Sequence, residues 1–189
     1  MCGLAGVIST KKPINKEFLQ KRLNKAYVYL RPRGPDEKGF WSDSNSFFLH
    51  TRLRIIDLKF TSSQPMENSN YVVCYNGEIY NFKELKSILI KKGYRFKSSG
   101  DTEVLLAGWS YWGADVLKKL DGMFAFSIWD KKKKILFLAR DRFGKKPLVF
   151  SLSENSIAFA SDIRSLKEIA QEGGINKHAI KSLFRFRFI

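Results

Sequence analysis

Four short strand-forming runs, residues 123–129, 135–139, 148–152 and 157–160, follow one another with only turns between them. Connections that short join antiparallel strands, because parallel neighbours need a crossover of about a dozen residues or more. Upstream, residues 2–9, 38–41, 46–53 and 71–75 also read as strands. Phe18, Leu19, Leu23, Ala26, Tyr27 and Leu30 recur at helical spacing and predict an amphipathic helix over residues 15–30, which Arg31-Pro32-Arg33-Gly34-Pro35-Asp36 breaks. A second helix is predicted over 81–92, with Asn81 as its cap, Leu85, Ile88 and Leu89 on its apolar face, and Gly93 as its stop. A third begins after Asp101 or Thr102, and a fourth lies near 163–171. Strands and helices fall into runs rather than alternating, the pattern of an α+β domain with two antiparallel sheets and helices outside them.

With 189 residues, no repeat and no Pro/Gly/Ser-rich linker, the chain is expected to form one domain. Its 44% hydrophobic and 28% charged residues are the balance of a globular protein, and no apolar run is long enough to span a membrane. The apolar start, residues 1–8, is short and follows no basic region, which argues against a secretory signal and for the cytoplasm. Two cysteines, Cys2 and Cys74, cannot make a disulfide scaffold, so both thiols are expected reduced. A net charge of +16 raises the question of nucleic acid. The lysines are scattered, however, as Lys11-Lys12, Lys91-Lys92, Lys145-Lys146 and a run over 131–134 that reads as a solvated hairpin loop. No zinc-finger spacing, aromatic RNA motif or basic helix accompanies them, so nucleic acid is not the expected partner.

Cysteine in second position draws attention to chemistry. Removal of Met1 would leave Cys2 with both a thiol and a free α-amine of pKa about 8, a nucleophile and a general base on one residue. Read alone, Cys2 is more readily a small buried residue opening a strand. Asn76 and Gly77 offer a side-chain amide and a backbone N–H of the kind that stabilise an oxyanion, although Asn-Gly between strand formers is also a common hairpin turn. Arg52 has the fork that suits an α-carboxylate, and Glu78 and Asp101 are carboxylates suited to an α-ammonium. Taken singly, these three are an ordinary surface arginine, a turn carboxylate and a helix cap.

Together the segments resemble one family. Cys2-Gly3-Leu4-Ala5-Gly6, Arg33-Gly34-Pro35-Asp36, the run from Leu49 to Asp57 with Gln64-Pro65-Met66 after it, Asn76-Gly77-Glu78-Ile79-Tyr80-Asn81, Ser99-Gly100-Asp101-Thr102-Glu103, Asp121-Gly122-Met123-Phe124-Ala125-Phe126, Arg140 through Leu148 and Phe159-Ala160-Ser161-Asp162 stand in order over residues 2–170. This order is similar to the class II glutamine amidotransferase domain of glutamine-hydrolysing asparagine synthetases. The resemblance implies a four-layer αββα N-terminal-nucleophile hydrolase fold, two stacked antiparallel sheets flanked by helices. It implies Cys2 as nucleophile, its α-amine as proton relay, Asn76 and Gly77 as the oxyanion hole, and Arg52 with the backbone from Leu53 through Ile56 for the α-carboxylate of L-glutamine. Glu78 and Asp101 would hold the α-ammonium, with no metal and no cofactor for this step. Other readings remain open: the glutaminase part of an amidosugar or purine-pathway enzyme, and a non-catalytic interaction subunit.

Arg54 departs from the pattern, since the family usually has a small hydroxyl residue there. Residues 171–189 are expected to be a tail, the start of a synthetase domain or an interface segment, and their apolar end at Phe184-Arg185-Phe186-Arg187-Phe188-Ile189 fits either. No Ser-Gly-Gly pyrophosphate loop is present, and Gly144-Lys145-Lys146 lacks P-loop spacing, so ATP and magnesium are expected only in a separate synthetase domain or subunit. A homo-oligomer is compatible with the sequence.

Overall fold

Among the described residues, 1–11, 15–170 and 177–187, the computed structural model contains strands β1 (Gly3–Ser9), β2 (Glu37–Ser42), β3 (Ser46–Arg52), β4 (Met66–Glu67), β5 (Tyr71–Ile79), β6 (Gly122–Asp130), β7 (Ile135–Arg140), β8 (Val149–Leu152) and β9 (Ser156–Ala160). They form two sheets, β2-β3-β1-β9-β8 and β4-β5-β6-β7, and every pairing is antiparallel. The helices are α1 (Lys16–Leu30), α2 (Phe82–Lys91), α3 (Asp101–Trp112), α4 (Ile163–Ile169) and α5 (Lys177–Phe186). Lys12, the Phe18 side chain, residue 171 and Phe188-Ile189 lie outside what is described.

Strand alternation builds three apolar layers from these elements. Ala5, Val7, Phe47, Leu49, Ala158 and Ala160 point to one side of the first sheet and bury Leu19, Leu23, Ala26 and Leu30 of α1 with Leu166 and Ile169 of α4. Their neighbours Leu4, Ile8, Phe48 and Phe159 point the other way and meet Val72, Cys74 and Trp129 of the second sheet. On its far face the second sheet packs Val73, Phe124, Phe126 and Ile128 against Leu85 and Leu89 of α2 and Val104 and Leu105 of α3. The layer order is therefore helix, sheet, sheet, helix. Gly6 permits the sheets to approach, because a Cβ there would lie 2.4 Å from the Phe159 ring and 2.6 Å from that of Phe48.

The structure decides the open reading of Asn76-Gly77, corrects the expected cap at Asn81 and places a helix in the C-terminal segment. Asn76-Gly77 is not a hairpin turn: β5 runs on to Ile79, with Asn76 opposite Ala125 and Gly77 opposite Phe124. Asn81 precedes α2 without capping it. Its amide instead donates to Lys119 O at 2.9 Å and its oxygen accepts from Asp121 N at 3.1 Å, tying the end of β5 to the turn before β6. The segment expected as a tail contains α5, an amphipathic helix. The lysine run 131–134 does form the β6–β7 turn, pinned by Lys132 N and Lys133 N on Asp130 Oδ1 at 3.0 and 2.7 Å, and Lys134 pairs with Asp43 at 2.9 Å.

Candidate active site

The inward face of the sandwich turns polar at one end. Even-numbered residues face inward on β1, β3 and β5, so the row that buries Leu4, Phe48, Val72 and Cys74 continues to Cys2, to His50 and Arg52, and to Asn76 and Glu78. A solvent-open cleft of about 510 Å³, mouth included, lies there. Cys2, Arg52, Leu53, Ile56, Asn76, Gly77 and Asp101 line it. Glu78, half-buried on the same strand, does not.

The Cys2 thiol touches the loop after β3: its Sγ lies 3.7 Å from Leu53 O, to which it donates, and accepts from Leu53 N at 3.4 Å. Arg33 Nε donates to Cys2 O at 3.2 Å, so the Arg33–Asp36 turn fixes the backbone of the residue. Gly34 lets that turn seat on β3, since a Cβ would stand 2.3 Å from Thr51 O. Burial raises the Cys2 thiol pKa against the opposing hydrogen bond from Leu53 and the charges of the chain terminus and Arg52. Burial lowers the pKa of the Met1 ammonium, and Lys146 and Arg33 add to that effect while Cys2 opposes it.

Two donors face this thiol's cleft without described acceptors. Asn76 is buried and its Nδ2 has no partner. The second follows from the β5–β6 ladder. Tyr80 N donates to Asp121 O at 2.7 Å, and antiparallel alternation then turns the N–H groups of Ile79, Gly77 and Tyr75 away from β6. Ile79 N donates to Asp101 Oδ2 at 3.1 Å and Tyr75 N to Gln64 Oε1 at 2.6 Å. Gly77 N–H, between them, has neither. A side chain at 77 would collide with β6, its Cβ falling 2.4 Å from Met123 O.

Arg52 organises the opposite wall. Its Nη1 donates to Glu37 Oε2 at 3.1 Å and to Lys59 O at 3.0 Å, and its Nη2 to Asp57 O, so the guanidinium gathers the loop 53–59 around itself. Asp57 anchors the other end, accepting from Lys59 N, Ser62 Oγ and Ser99 N at 2.9, 2.8 and 2.8 Å. Burial alone would raise the Asp57 pKa, yet these bonds hold it well below the carboxylate range. Asp101 opens α3 as its first helical residue, not as its cap, and accepts from Tyr75 Oη at 2.6 Å. Burial, together with the charge of Glu78, raises its pKa against those hydrogen bonds. Sequence reasoning gave no role to Tyr75, Thr102 or Ser62, which also line the cleft. Tyr75 belongs to the outward-facing row, and only the bond from its hydroxyl to Asp101 brings it into the site.

His50 sits fully buried between the sheets, bonded through Nε2 to Tyr75 O at 2.9 Å, while its Nδ1 has no described partner. A carbonyl only accepts, so Nε2 carries the proton. Burial lowers its pKa to about 4, from an ordinary value of 6.5. As pH falls the unfolded chain therefore takes up this proton first. The stability that neutral His50 contributes is complete above about pH 6.5 and is lost progressively down to about pH 4, roughly 3 kcal/mol in all. The depressed carboxylates of Asp57 and Asp141 lose their contribution only below about pH 4. Asp101, its pKa raised, acts in the opposite sense over its own range. Subtracting the thermal-melting profile of His50→Gln from that of the wild type between pH 7 and 4.5 isolates the histidine. The expected result is a flatter profile for the variant, and parallel profiles would refute it.

The Arg140–Leu148 segment is a turn built around Asp141. Its carboxylate accepts from Phe143 N, Lys145 N, Lys146 N and Phe124 N at 3.2, 2.9, 3.0 and 3.3 Å. These N–H groups point inward to a carboxylate, whereas a phosphate cradle needs them pointing outward. Among the described residues no three His, Cys, Asp or Glu side chains cluster as metal ligands, and no helix is long and apolar enough to cross a membrane.

Comparison with known proteins agrees with this geometry. The glutamine amidotransferase domain family matches residues 1–189. Asparagine synthetase [glutamine-hydrolyzing] 1 of Bacillus subtilis is 40% identical over 195 residues, covering 100% of this chain and 30% of that protein. A putative asparagine synthetase [glutamine-hydrolyzing] 2 of Methanocaldococcus jannaschii is 35% identical over 212 residues, covering 100% of this chain and 40% of that one. The chain thus spans well under half the length of these relatives. Glutamine phosphoribosylpyrophosphate amidotransferase from B. subtilis shares the fold at a TM-score of 0.67 and 18% identity, over 89% of this chain and 43% of that one. With the family matched along its whole length and the two stacked antiparallel sheets in place, this chain belongs to the glutamine amidotransferase domain family.

Proposed function

We propose that the chain hydrolyses L-glutamine to glutamate and ammonia through Cys2, and that the ammonia serves an asparagine synthetase-like amidation in a further domain or subunit. The observation that carries this reading is the buried Asn76 Nδ2 without a described partner, beside the Gly77 N–H that the ladder turns away from β6, at the cleft that also holds the Cys2 thiol. A buried donor such as Asn76 Nδ2 is expensive to leave without an acceptor, and the oxyanion of a tetrahedral intermediate is an acceptor of the right charge.

Once Met1 is removed, the α-amine of Cys2 takes the thiol proton and the sulfur attacks the substrate carboxamide carbon. Asn76 and Gly77 hold the oxyanion. The ammonium so formed returns its proton to the departing nitrogen, leaving ammonia and a thioester. Water, deprotonated by the same amine, then releases glutamate. Arg52 and the backbone from Leu53 to Ile56 hold the α-carboxylate, and Asp101 with Glu78 holds the α-ammonium. ATP and magnesium would be held by the synthetase domain or subunit, where they would supply activation of the ammonia acceptor. The cytoplasm is the proposed location, the two free thiols, Cys2 and Cys74, suiting a reducing compartment.

The test compares glutamate release by the chain with Met1 removed, verified by mass, with that of a chain keeping one residue ahead of Cys2. The extended form is expected to be slower by about 100-fold or more, the value of a positioned general base. The processed form should show an acid limb in kcat/KM from loss of the neutral Cys2 α-amine, a group whose ordinary pKa is about 8. Equal rates in the two forms would remove the amine from the mechanism.

A further inference from the structure

Glu37 stands between two guanidinium groups. Its Oε2 accepts from Arg52 Nη1 at 3.1 Å and from Arg54 Nη2 at 3.2 Å. Burial would raise the carboxyl pKa, but hydrogen bonds from Ser63, Arg54 and Arg52 hold it below its ordinary value. Arg52, Leu53, Ile55 and Ile56 line the cleft, whereas Arg54 lies behind them. There its guanidinium rests 4.7 Å from the centroid of the Phe60 ring, its backbone N–H donates to Asp36 Oδ2 at 2.8 Å, and its Nε is buried with no described partner. Arg54 is thus held on three sides in a position from which it reaches Glu37 but not the cleft.

The charge balance gives this arrangement a consequence. Glu37 paired with Arg52 alone would leave the pair neutral, whereas Arg54 brings a second positive charge to the same carboxylate, the Asp36 carboxylate being held at the Arg54 backbone rather than at its guanidinium. An anion approaching Arg52 feels that difference, because partly buried charges a few ångströms apart are weakly screened.

We propose that Arg54 is a positioning residue for substrate binding: by sharing Glu37, it leaves Arg52 with net positive charge for the α-carboxylate of glutamine and so sets the KM. This rests on the reading of Arg52 as the group that holds that carboxylate. A purely structural staple, by contrast, would fix the loop without regard to charge.

The experiment measures KM and kcat for L-glutamine with the full chain, Met1 removed, in the wild type, Arg54→Ser, Glu37→Gln, the double variant and Arg52→Lys. Arg54→Ser is expected to raise KM by about three- to tenfold with kcat within about twofold, the size of a screened charge interaction. Glu37→Gln is expected to leave KM unchanged or lower it, and the double variant to restore the wild-type KM. The spread should narrow as ionic strength rises. If both single variants raise KM and the double raises it further, Arg54 is a staple and the proposal falls. Identical KM values across the Arg54 and Glu37 variants overturn it as well. Arg52→Lys reports separately: an unchanged KM there refutes the role given to Arg52 itself. Glutamine affinity by calorimetry in a Cys2→Ala background reads the same order without turnover, and absence of the order there also overturns the proposal.

Discussion

Cys2→Ala is expected to lower glutamate release from L-glutamine by roughly 10⁴-fold or to background, with glutamine affinity within a few-fold of the wild type. In the proposed mechanism this substitution removes the thioester route and leaves the proposed oxyanion site with nothing to attack the substrate. Loss of fold is a poor rival explanation in this case. Cys2 precedes β1, and its thiol makes only the long contacts with Leu53, at 3.7 and 3.4 Å, so its loss leaves no strong buried donor unpaired. The melting temperature should shift by no more than a few degrees. Cys74 supplies an internal control. It is buried on β5, and burial pushes its thiol pKa far up, so an alkylating reagent should modify Cys2 alone in the native chain, and glutamine should protect it. Modification of Cys74 first, or full activity in Cys2→Ala, would place the chemistry elsewhere.

The two-sheet architecture was legible in the segregation of strand-like and helical runs along the chain. Residues 2–9, 46–53, 123–129 and 157–160 read as strands from their apolar runs, and β1, β3, β6 and β9 lie within two residues of those spans, whereas which strands pair and which faces turn inward is set by the tertiary fold. Asn76-Gly77 was harder, because its local chemistry favours a turn. The ladder with Met123, Phe124 and Ala125 overrides that preference, and no local signal reports a partner nearly 50 residues away. Asn81 misleads in the same manner: it has the chemistry of a cap, yet its amide is taken by Lys119 and Asp121. For the site, Cys2, Arg52, Asn76 and Asp101 were each ambiguous alone and became legible as an ordered set. The roles of Tyr75 and Gln64 depend on a hydroxyl reaching Asp101 and an amide oxygen reaching Tyr75 N, contacts set by the tertiary fold alone. Helix α5 carries a strong apolar stripe, Ile180, Leu183, Phe184 and Phe186, but the sequence reading gave weight to its abrupt apolar end rather than to its spacing.

Asn76→Ala is the sharper test of how the site works, because activity and stability are expected to move apart. A buried amide with an unpartnered N–H contributes little to the folded state, and replacing it by a methyl group relieves an unsatisfied donor. The variant should therefore be as stable as the wild type or slightly more so, apart from a small cavity term. Its kcat should nonetheless fall by about 10²–10³-fold with KM little changed, the signature of a donor used only when charge develops on the substrate oxygen. Asn76→Asp extends the argument at nearly constant shape. A carboxylate at that position would face the oxyanion with like charge, so its loss of kcat should exceed that of the alanine variant. Thermal melts beside steady-state kinetics read both quantities. A destabilised but active Asn76→Ala chain would make Asn76 a packing residue of β5 and leave Gly77 N–H without its companion in the proposed oxyanion hole.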